Sequence, residues 1–449
     1  MQTMLTVKLK LLTTADQFQA LRRTQLAYRD ALNCVSQYAF AHGKTSNVKR
    51  LQGDNYARIR AEFGLPAQLA CNVPRQVSGT YKALWTKTRK NAEARRLGYT
   101  KKRYRGLDKP PTYVSPTLTY NLGRDYSLRS GQEVSILTLA GRIHVSYRGY
   151  DKHVALLRAG ATMGAAKLWY DRSKKRFYLL VSLHVKTSDP APDTYKQVLG
   201  IDVGQRYLAT VATTNGTQFY SGKQVRAQAD HYARLRKRLQ RKGTRSATRK
   251  LVAISGRERR LKLNTNHVIS RRIVDAHPAS LIGLEDLNGI RERAKRRKKR
   301  RKGSRLVAVS PQARKANRHA SKWAFAELQG FLTYKAALAS SLCMKVDARY
   351  TSQMCPHCGH TSPDNRPRKG LLFACQNPTC HYTLHADLIG ARNVCLRTLL
   401  VWQDWASTGT LSGHLDVASD EAKAARWQRY AELRWSSVTS PSSSGDLGS

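Results

Sequence analysis

Val198 to Tyr220 reads VLGIDVGQRYLATVATTNGTQFY, and its punctuation decides the fold of the second half of the chain. Val198 to Ile201 is an apolar run that ends at Asp202 and Gly204, and Leu208 to Ala212 is a second one. Between that run and Gln218 to Tyr220 stands Asn215-Gly216, a pair suited to a two-residue hairpin because both tolerate positive φ. Three antiparallel strands are predicted, with an acid at the tip of the first. Upstream, Ser188 to Pro192 (SDPAP) is a short proline-containing linker, and a domain boundary is expected there. Downstream, positively charged helices are expected from about Val225 to Ala276, and Leu281 to Leu287 (LIGLEDL) reads as a buried strand carrying Glu285.

An acid at the end of an apolar strand is notable, because a buried charge is costly unless it pairs or binds a metal. Asp202 and Glu285 are both such acids. A third, Asp387, lies in His385 to Asn393 (HADLIGARN), which reads as the start of a helix. Any one of them alone is more often a surface turn or a helix cap; their order along the chain gives the set its weight. Carboxylates converging from two strands and a helix could hold two divalent ions about 4 Å apart, one activating water and one stabilising the departing oxygen of a phosphodiester. Mg²⁺ suits such an oxygen-rich shell.

Between Glu285 and Asp387 lie two cysteine pairs, Cys355-Pro356-His357-Cys358 and Cys375-Gln376-Asn377-Pro378-Thr379-Cys380. Two such knuckles complete a tetrahedral zinc site, and a closed four-sulfur shell leaves no water position, so the metal is expected to fold a ribbon and not to catalyse. The competing readings are a disulfide and a redox dithiol. His357, His360 and His381 stand close enough to compete as ligands. The other cysteines, Cys34, Cys71, Cys343 and Cys395, are scattered singly and read as reduced core residues, which fits a cytoplasmic compartment.

Lysine and arginine number 80 against 29 acids, a net charge of +51. Spread over many segments, that excess calls for an anionic partner, and a phosphate backbone fits best. A membrane is the rival, but no run of about 18 apolar residues and no secretory leader at Met1 to Leu12 is found. Arg291 to Arg305 (RERAKRRKKRRKGSR) is almost wholly basic; it reads as a solvated loop, as a phosphate-binding one, or as a nuclear localisation signal. Arg234, Arg236, Lys237, Arg238, Arg241 and Lys242 add to the same field. Lys101-Lys102-Arg103-Tyr104-Arg105 interleaves an aromatic with bases, as single-strand-binding surfaces do.

The first half opens with a strand in which Leu5, Val7, Leu9 and Leu11 alternate with mostly polar neighbours. From Thr14 the period becomes helical, with Gly43 a plausible stop, and helices continue to about Arg95. Tyr113 to Val185 consists of short alternating runs punctuated by glycines, and its last hairpin flanks the basic turn Asp171 to Arg176. Further on, a helix is expected around Trp323 to Leu338. Asp420 to Trp435 reads as a short helix packing Trp427, Tyr430 and Ala431 on one side, before a Ser/Gly/Pro-rich tail from Ser436 that is expected to be disordered.

The segments LGIDVG, IGLEDL, TSQMCPHCG and HADLIGARN together resemble the signature of the TnpB proteins of insertion sequences and of the compact type V CRISPR effectors related to them. The resemblance is specific over about Val198 to Val394. It implies a multidomain α+β and α/β protein: an N-terminal wedge-like β-barrel domain (1–13 and 110–188) interrupted by a helical recognition lobe (14–109). A ribonuclease-H-like, RuvC-like nuclease domain (193–350 and 382–435) would then carry an inserted zinc ribbon (351–381), with a disordered tail at 436–449. By the same resemblance Asp202, Glu285 and Asp387 bind Mg²⁺, zinc sits on Cys355, Cys358, Cys375 and Cys380, and the partners are a guide RNA and target double-stranded DNA, with no membrane. Two departures are visible: the second cysteine pair is wider than the usual two-residue gap, and Leu388-Ile389-Gly390 replaces more polar residues. The implied activity is RNA-guided DNA cleavage by two metals. An RNA-guided binder that does not cut, and a zinc-ribbon transposition accessory, are the alternatives.

Overall fold

The computed structural model describes residues 2–187, 189–204, 206–287, 299–302, 305–308, 324–366, 371–411 and 420–435. Most of the basic run at Arg291 to Arg305, Trp323 and the tail from Ser436 lie outside them. The chain divides into two compact units, one essentially 2–186 and the other essentially 187–449.

The first unit is built on β1 (Gln2–Leu12), which lies between two later strands of a seven-stranded antiparallel sheet. Leu5, Val7, Leu9 and Leu11 point inward and are buried, so the period-two reading holds residue by residue. The remaining strands are β2 (Leu118–Tyr120), β3 (Tyr126–Arg129), β4 (Glu133–Thr138), β5 (Gly141–Arg148), β6 (Thr162–Asp171) and β7 (Arg176–Lys186), in the order β2-β6-β7-β1-β5-β4-β3. Two tyrosines bend this sheet toward closure. Tyr120 on one edge donates to the Leu137 carbonyl near the other, and Tyr126 on the far edge donates back to the Gly164 carbonyl. The β6–β7 hairpin closes on Asp171 opposite Arg176, as expected.

Three helices, α1 (Ala15–Ala41), α2 (Val48–Phe63) and α3 (Ala67–Arg96), are inserted after β1. Thr14 and Gln17 form a reciprocal cap at the start of α1, and Gly43 follows its end with φ +72°. The helices are pinned by buried tyrosines, Tyr28 to the Gln76 side chain and Tyr81 to the Ser36 carbonyl. A short α4 (Asp151–Arg158) precedes β6.

The second unit holds a five-stranded sheet of β8 (Gln197–Asp202), β9 (Tyr207–Thr213), β10 (Gly216–Ser221), β11 (Ser280–Glu285) and β14 (Leu342–Val346), in the order β10-β9-β8-β11-β14. The first three strands are antiparallel, and β9 turns into β10 at Thr213 opposite Gly216. β11 runs parallel to both β8 and β14. Between β10 and β11 run α5 (Lys223–Lys242) and α6 (Arg245–Ala276). β12 (Lys299–Lys302) and β13 (Arg305–Ala308) precede α7 (Phe325–Leu338).

Strand alternation sorts this sheet into two faces. Leu199, Ile201, Ile282 and Leu284 join Ile269, Ile273, Leu328 and Leu332 in one core under α6 and α7. Val198 and Leu281 point the other way, against Cys395 and Leu399 of α8 (Ala386–Thr408). β11 is buried at all six positions, as a strand covered on both sides must be. β15 (Leu372–Ala374) and β16 (Thr383–His385) pair as a small ribbon just before α8, and α9 (Asp420–Glu432) follows it. In α9, Tyr430 is buried and Trp427 half-buried against Met354 and Leu400, while Ala431 is exposed, so only part of the expected face packs. No helix among the described residues is long and apolar enough to cross a membrane.

Candidate metal centres

Asp202 and Glu285 occupy the last positions of neighbouring parallel strands, whose register pairs Ile201 with Leu284. Alternation places both acids on the face that α8 covers, two residues beyond Gly200 and Gly283 respectively. Those two glycines are themselves register partners. A Cβ on Gly200 would run into the Ala391 carbonyl and the Cys395 amide, and one on Gly283 into the Thr398 hydroxyl. Their lack of side chains therefore lets the backbone of α8 settle onto the strands, and its first turn carries Asp387 to the same strand tips. Gly390, one turn on, lies against Asp202, where an added Cβ would be 3.1 Å from the Asp202 carboxyl carbon.

The electrostatics follow from that convergence. Burial, then the charges of Glu285 and Asp387, push the Asp202 carboxyl well above its ordinary range, opposed by Arg366. Burial likewise raises Glu285, opposed by the Thr351 hydroxyl and the charges of Arg397 and Arg366. Thr351 donates to Glu285 Oε1 at 2.7 Å, and the Gln329 amide donates to the Glu285 carbonyl at 2.7 Å. Arg366 Nη2 stands 3.8 Å from Asp387 Oδ1. The Asp387 backbone N–H is capped by His385 Nδ1.

Three acids crowded where two strand tips meet the first turn of α8, with Asp202 and Glu285 both raised by burial, fit cations. Their oxygens do not all fall within 4.8 Å of one another, which among the described residues only the four cysteines do. That is compatible with two ions: at about 4 Å separation and about 2 Å per metal–oxygen bond, ligands on opposite ends stand up to about 8 Å apart.

The cysteine site is tighter. Cys355, Cys358, Cys375 and Cys380 bring their sulfurs within 4.8 Å of one another, with Cys355 to Cys380 at 3.9 Å and Cys358 to Cys375 at 3.5 Å. A tetrahedron with Zn–S bonds of about 2.3 Å has edges of about 3.8 Å, so the set fits one zinc. All four are free thiols and not disulfides. The first knuckle is closed by the Gly359 N–H on the Cys355 carbonyl. The wider second pair is accommodated by Asn377, whose side-chain oxygen accepts from the Thr379 amide and hydroxyl while its carbonyl accepts from the Cys380 N–H. Although desolvation raises it, Cys358 is brought down to about 7 by the His360 backbone amide and its neighbours. His357 approaches Cys380 Sγ at 3.4 Å through Nδ1 and stacks on Tyr382, the position of a hydrogen-bond partner. Neither His360 nor His381 joins the cluster.

Sequence reasoning missed the supports. Asn393 donates to the Thr351 and Met354 carbonyls, tying α8 to the loop that enters the ribbon. Arg397 is fully buried, donates to the Asp347 and Arg349 carbonyls, and lies under the rings of Tyr430 and Trp427. In the sequence it is one more arginine in a chain full of them. The scattered cysteines are as expected only in part: Cys395 is buried, Cys343 and Cys395 are pushed up to about 12 by burial, and Cys34 and Cys71 are partly exposed.

Two family models match the chain: one described as "Cas12f1-like, TNB domain" over residues 325–394, and one described as "Probable transposase" (OrfB_IS605) over residues 181–291. Among curated relatives, the CRISPR-associated endodeoxyribonuclease Cas12f1 of Sulfoacidibacillus thermotolerans is 26% identical over 56% of this chain and 57% of its own length. Cas12f2 of Micrarchaeota archaeon (strain CG1_02_47_40), also named an endodeoxyribonuclease, is 26% identical over 50% and 41%. The TnpB-like protein MJ0751 of Methanocaldococcus jannaschii is 24% identical over 45% and 69%. The chain thus spans about half the length of the two endodeoxyribonucleases. A solved chain described as "Cryo-EM structure of CasPhi-2 (Cas12j) bound to crRNA" superposes with a TM-score of 0.48 at 12% identity, over 91% of this chain and 98% of that one.

Proposed function

We propose that this chain, a relative of the TnpB-like and Cas12f proteins over its second half, is an RNA-guided DNA endonuclease with its cutting centre at Asp202, Glu285 and Asp387. The observation that carries this is the juxtaposition of Asp202 and Glu285 at adjacent strand tips beneath the first turn of α8. The strand order and the mixture of antiparallel and parallel pairs support a ribonuclease-H-like domain, and the four-sulfur cluster supports a zinc ribbon inserted before its last helix. The first unit, a curled sheet interrupted by three helices, supports the wedge and recognition roles for 1–13 with 110–188 and for 14–109.

Two Mg²⁺ ions held there would supply the Lewis acidity that activates water and stabilises the leaving oxygen. The chain's own residues do the rest. Thr351 and Gln329 fix Glu285 from its carboxyl and its backbone. Arg397 draws Glu285 toward its ionised form, and Arg366 does so for both Glu285 and Asp202. The net charge of +51 supplies the field that gathers nucleic acid. In this reading base pairing with a guide RNA gives sequence selection, and the protein reads a short flanking duplex motif.

The test is to sequence RNA that travels with the purified protein and to assay Mg²⁺-dependent cutting of a matched duplex. Asp202→Ala, Glu285→Ala and Asp387→Ala are each expected to reduce cutting below detection while leaving the retained RNA unchanged. A parent rate in any one variant removes that residue from the centre; a protein with neither RNA nor cutting defeats the reading.

A further inference from the structure

We propose that the cleft between the C-terminal half of α3 and the loop 100–108 is a nucleotide-binding pocket, one that takes a single unpaired base by stacking and its phosphate by charge. Nothing in the cutting centre bears on it, and it stands whether or not the carboxylates cut.

The cavity measures about 250 Å³ and is lined by Trp85, Thr88, Ala92 and Arg95 from the helix, Lys44 from the turn after α1, and Arg103, Tyr104 and Leu107 from the loop. Positions 85, 88, 92 and 95 follow the spacing of one helix stripe. The stripe presents an indole that is 36% exposed, two small side chains and a cation. The volume falls just below the range of about 300–1,000 Å³ typical of pockets for larger ligands, a size that suits one base with its sugar.

The walls are built. Asn91 holds the loop like a strand partner, donating to the Lys102 carbonyl and accepting from the Tyr104 N–H at 2.8 Å. Arg103 and Asp108 pair across the loop, and Leu107 is buried beneath it. On the opposite side the Trp85 Nε1–H donates to the Lys44 carbonyl at 3.0 Å, which orients the indole, while the Lys44 ammonium lies 5.2 Å from the centre of the Phe40 ring. Asp108, the one acid in the lining, is already matched by Arg103, so Lys44 and Arg95 leave an unbalanced positive charge there. Aromatic faces beside uncompensated cations are the combination that holds single strands without reading sequence. RNA and DNA both offer that base and that phosphate.

The full-length protein, stripped of nucleic acid, would be titrated in Mg²⁺-free buffer with fluorescent single-stranded ten-nucleotide RNA and DNA, each also made with one abasic position. Trp85→Ala is expected to weaken binding about 5- to 50-fold, as loss of one stacked base does, with Trp85→Phe near the parent and Arg95→Ala intermediate with a shallower salt dependence. The abasic strand should lose affinity for the parent but not for Trp85→Ala. Whichever strand shows these effects identifies the source. Equal affinity of parent and Trp85→Ala for both strands, or equal losses for Trp85→Phe and Trp85→Ala, would overturn the proposal, with near-ultraviolet circular dichroism reporting that the variants fold.

Discussion

Gly200 and Gly283 face each other across two parallel strands, and α8 lies over both. The pair sets the depth at which Asp387 meets Asp202 and Glu285. The two contacts differ in kind: Gly200 meets helix backbone, whereas Gly283 meets chiefly the Thr398 side chain. Gly200→Ala is expected to cost about 1–3 kcal/mol, lowering Tm by about 2–10 °C, and no side-chain change on α8 should restore it. Gly283→Ala should be partly rescued by Thr398→Ala. Thermal unfolding of the two singles and the double distinguishes them, and a rescue of Gly200→Ala by Thr398→Ala would contradict this account.

The cysteine tetrahedron predicts one zinc per chain. Its sulfurs are partly buried together with Phe373 and Ile389, so an empty cluster leaves that small core without its staple. Cys355→Ser should take the metal content well below one and lower Tm by about 5 °C or more, with chelation of the parent giving the same result. Elemental analysis beside the melting curve checks it; full stability in the metal-free protein would refute a structural role.

Much of this was readable because it depends on local pattern. The β9–β10 hairpin, whose turn falls on Thr214-Asn215 with Gly216 already in β10 instead of on the expected Asn215-Gly216, the alternation that sends Asp202 and Glu285 to one face, and the cysteine spacings are all short-range. What escaped depends on distant partners. β14 has no alternation to announce it, since its Cys-Met-Lys centre is chosen by its place at the sheet edge beside β11. Thr351 reaches Glu285 across 66 residues of chain. The curl of the first sheet is enforced by two tyrosine hydroxyls whose acceptors no periodicity identifies.

Lys335 gives a pH dependence with a definite sign. Its ammonium is turned inward from α7, donating to the His267 carbonyl at 2.6 Å and the Ser270 hydroxyl at 2.8 Å. Burial, then Arg271, lowers it from 10.5 to about 8. Below pH 8 both states carry the charge and the folded one bears the desolvation cost. Between about 8 and 10.5 the unfolded chain binds a proton that the folded chain does not, so this residue makes stability rise with pH. Lys335→Met should be more stable than the parent at pH 7, and the difference should shrink toward pH 10. Urea midpoints across that span measure it; a difference that grows with pH would reverse the sign and reject the account.

Arg397 joins the candidate cutting centre to α9. Its guanidinium lies 4.4 Å from the Tyr430 ring centre and 5.3 Å from that of Trp427, and it also binds the Asp347 and Arg349 carbonyls of the loop before the ribbon. Two further donors, Nε and Nη2, have no hydrogen-bond partner among the described residues, so cation–π attraction supplies a larger share of what offsets the burial of this charge. That loop also presents Thr351 to Glu285. Arg397→Met should therefore lower stability by about 2–4 kcal/mol and loosen Glu285 as well. Tyr430→Leu should do so by less. Because both changes remove one interaction, the double variant should lose less than the two singles combined. Tyr430→Phe, which keeps the ring, should resemble the parent. Strict additivity of Arg397→Met and Tyr430→Leu in denaturant unfolding would mean that α9 does not hold Arg397, and would break the link drawn here between the C-terminal helix and Glu285.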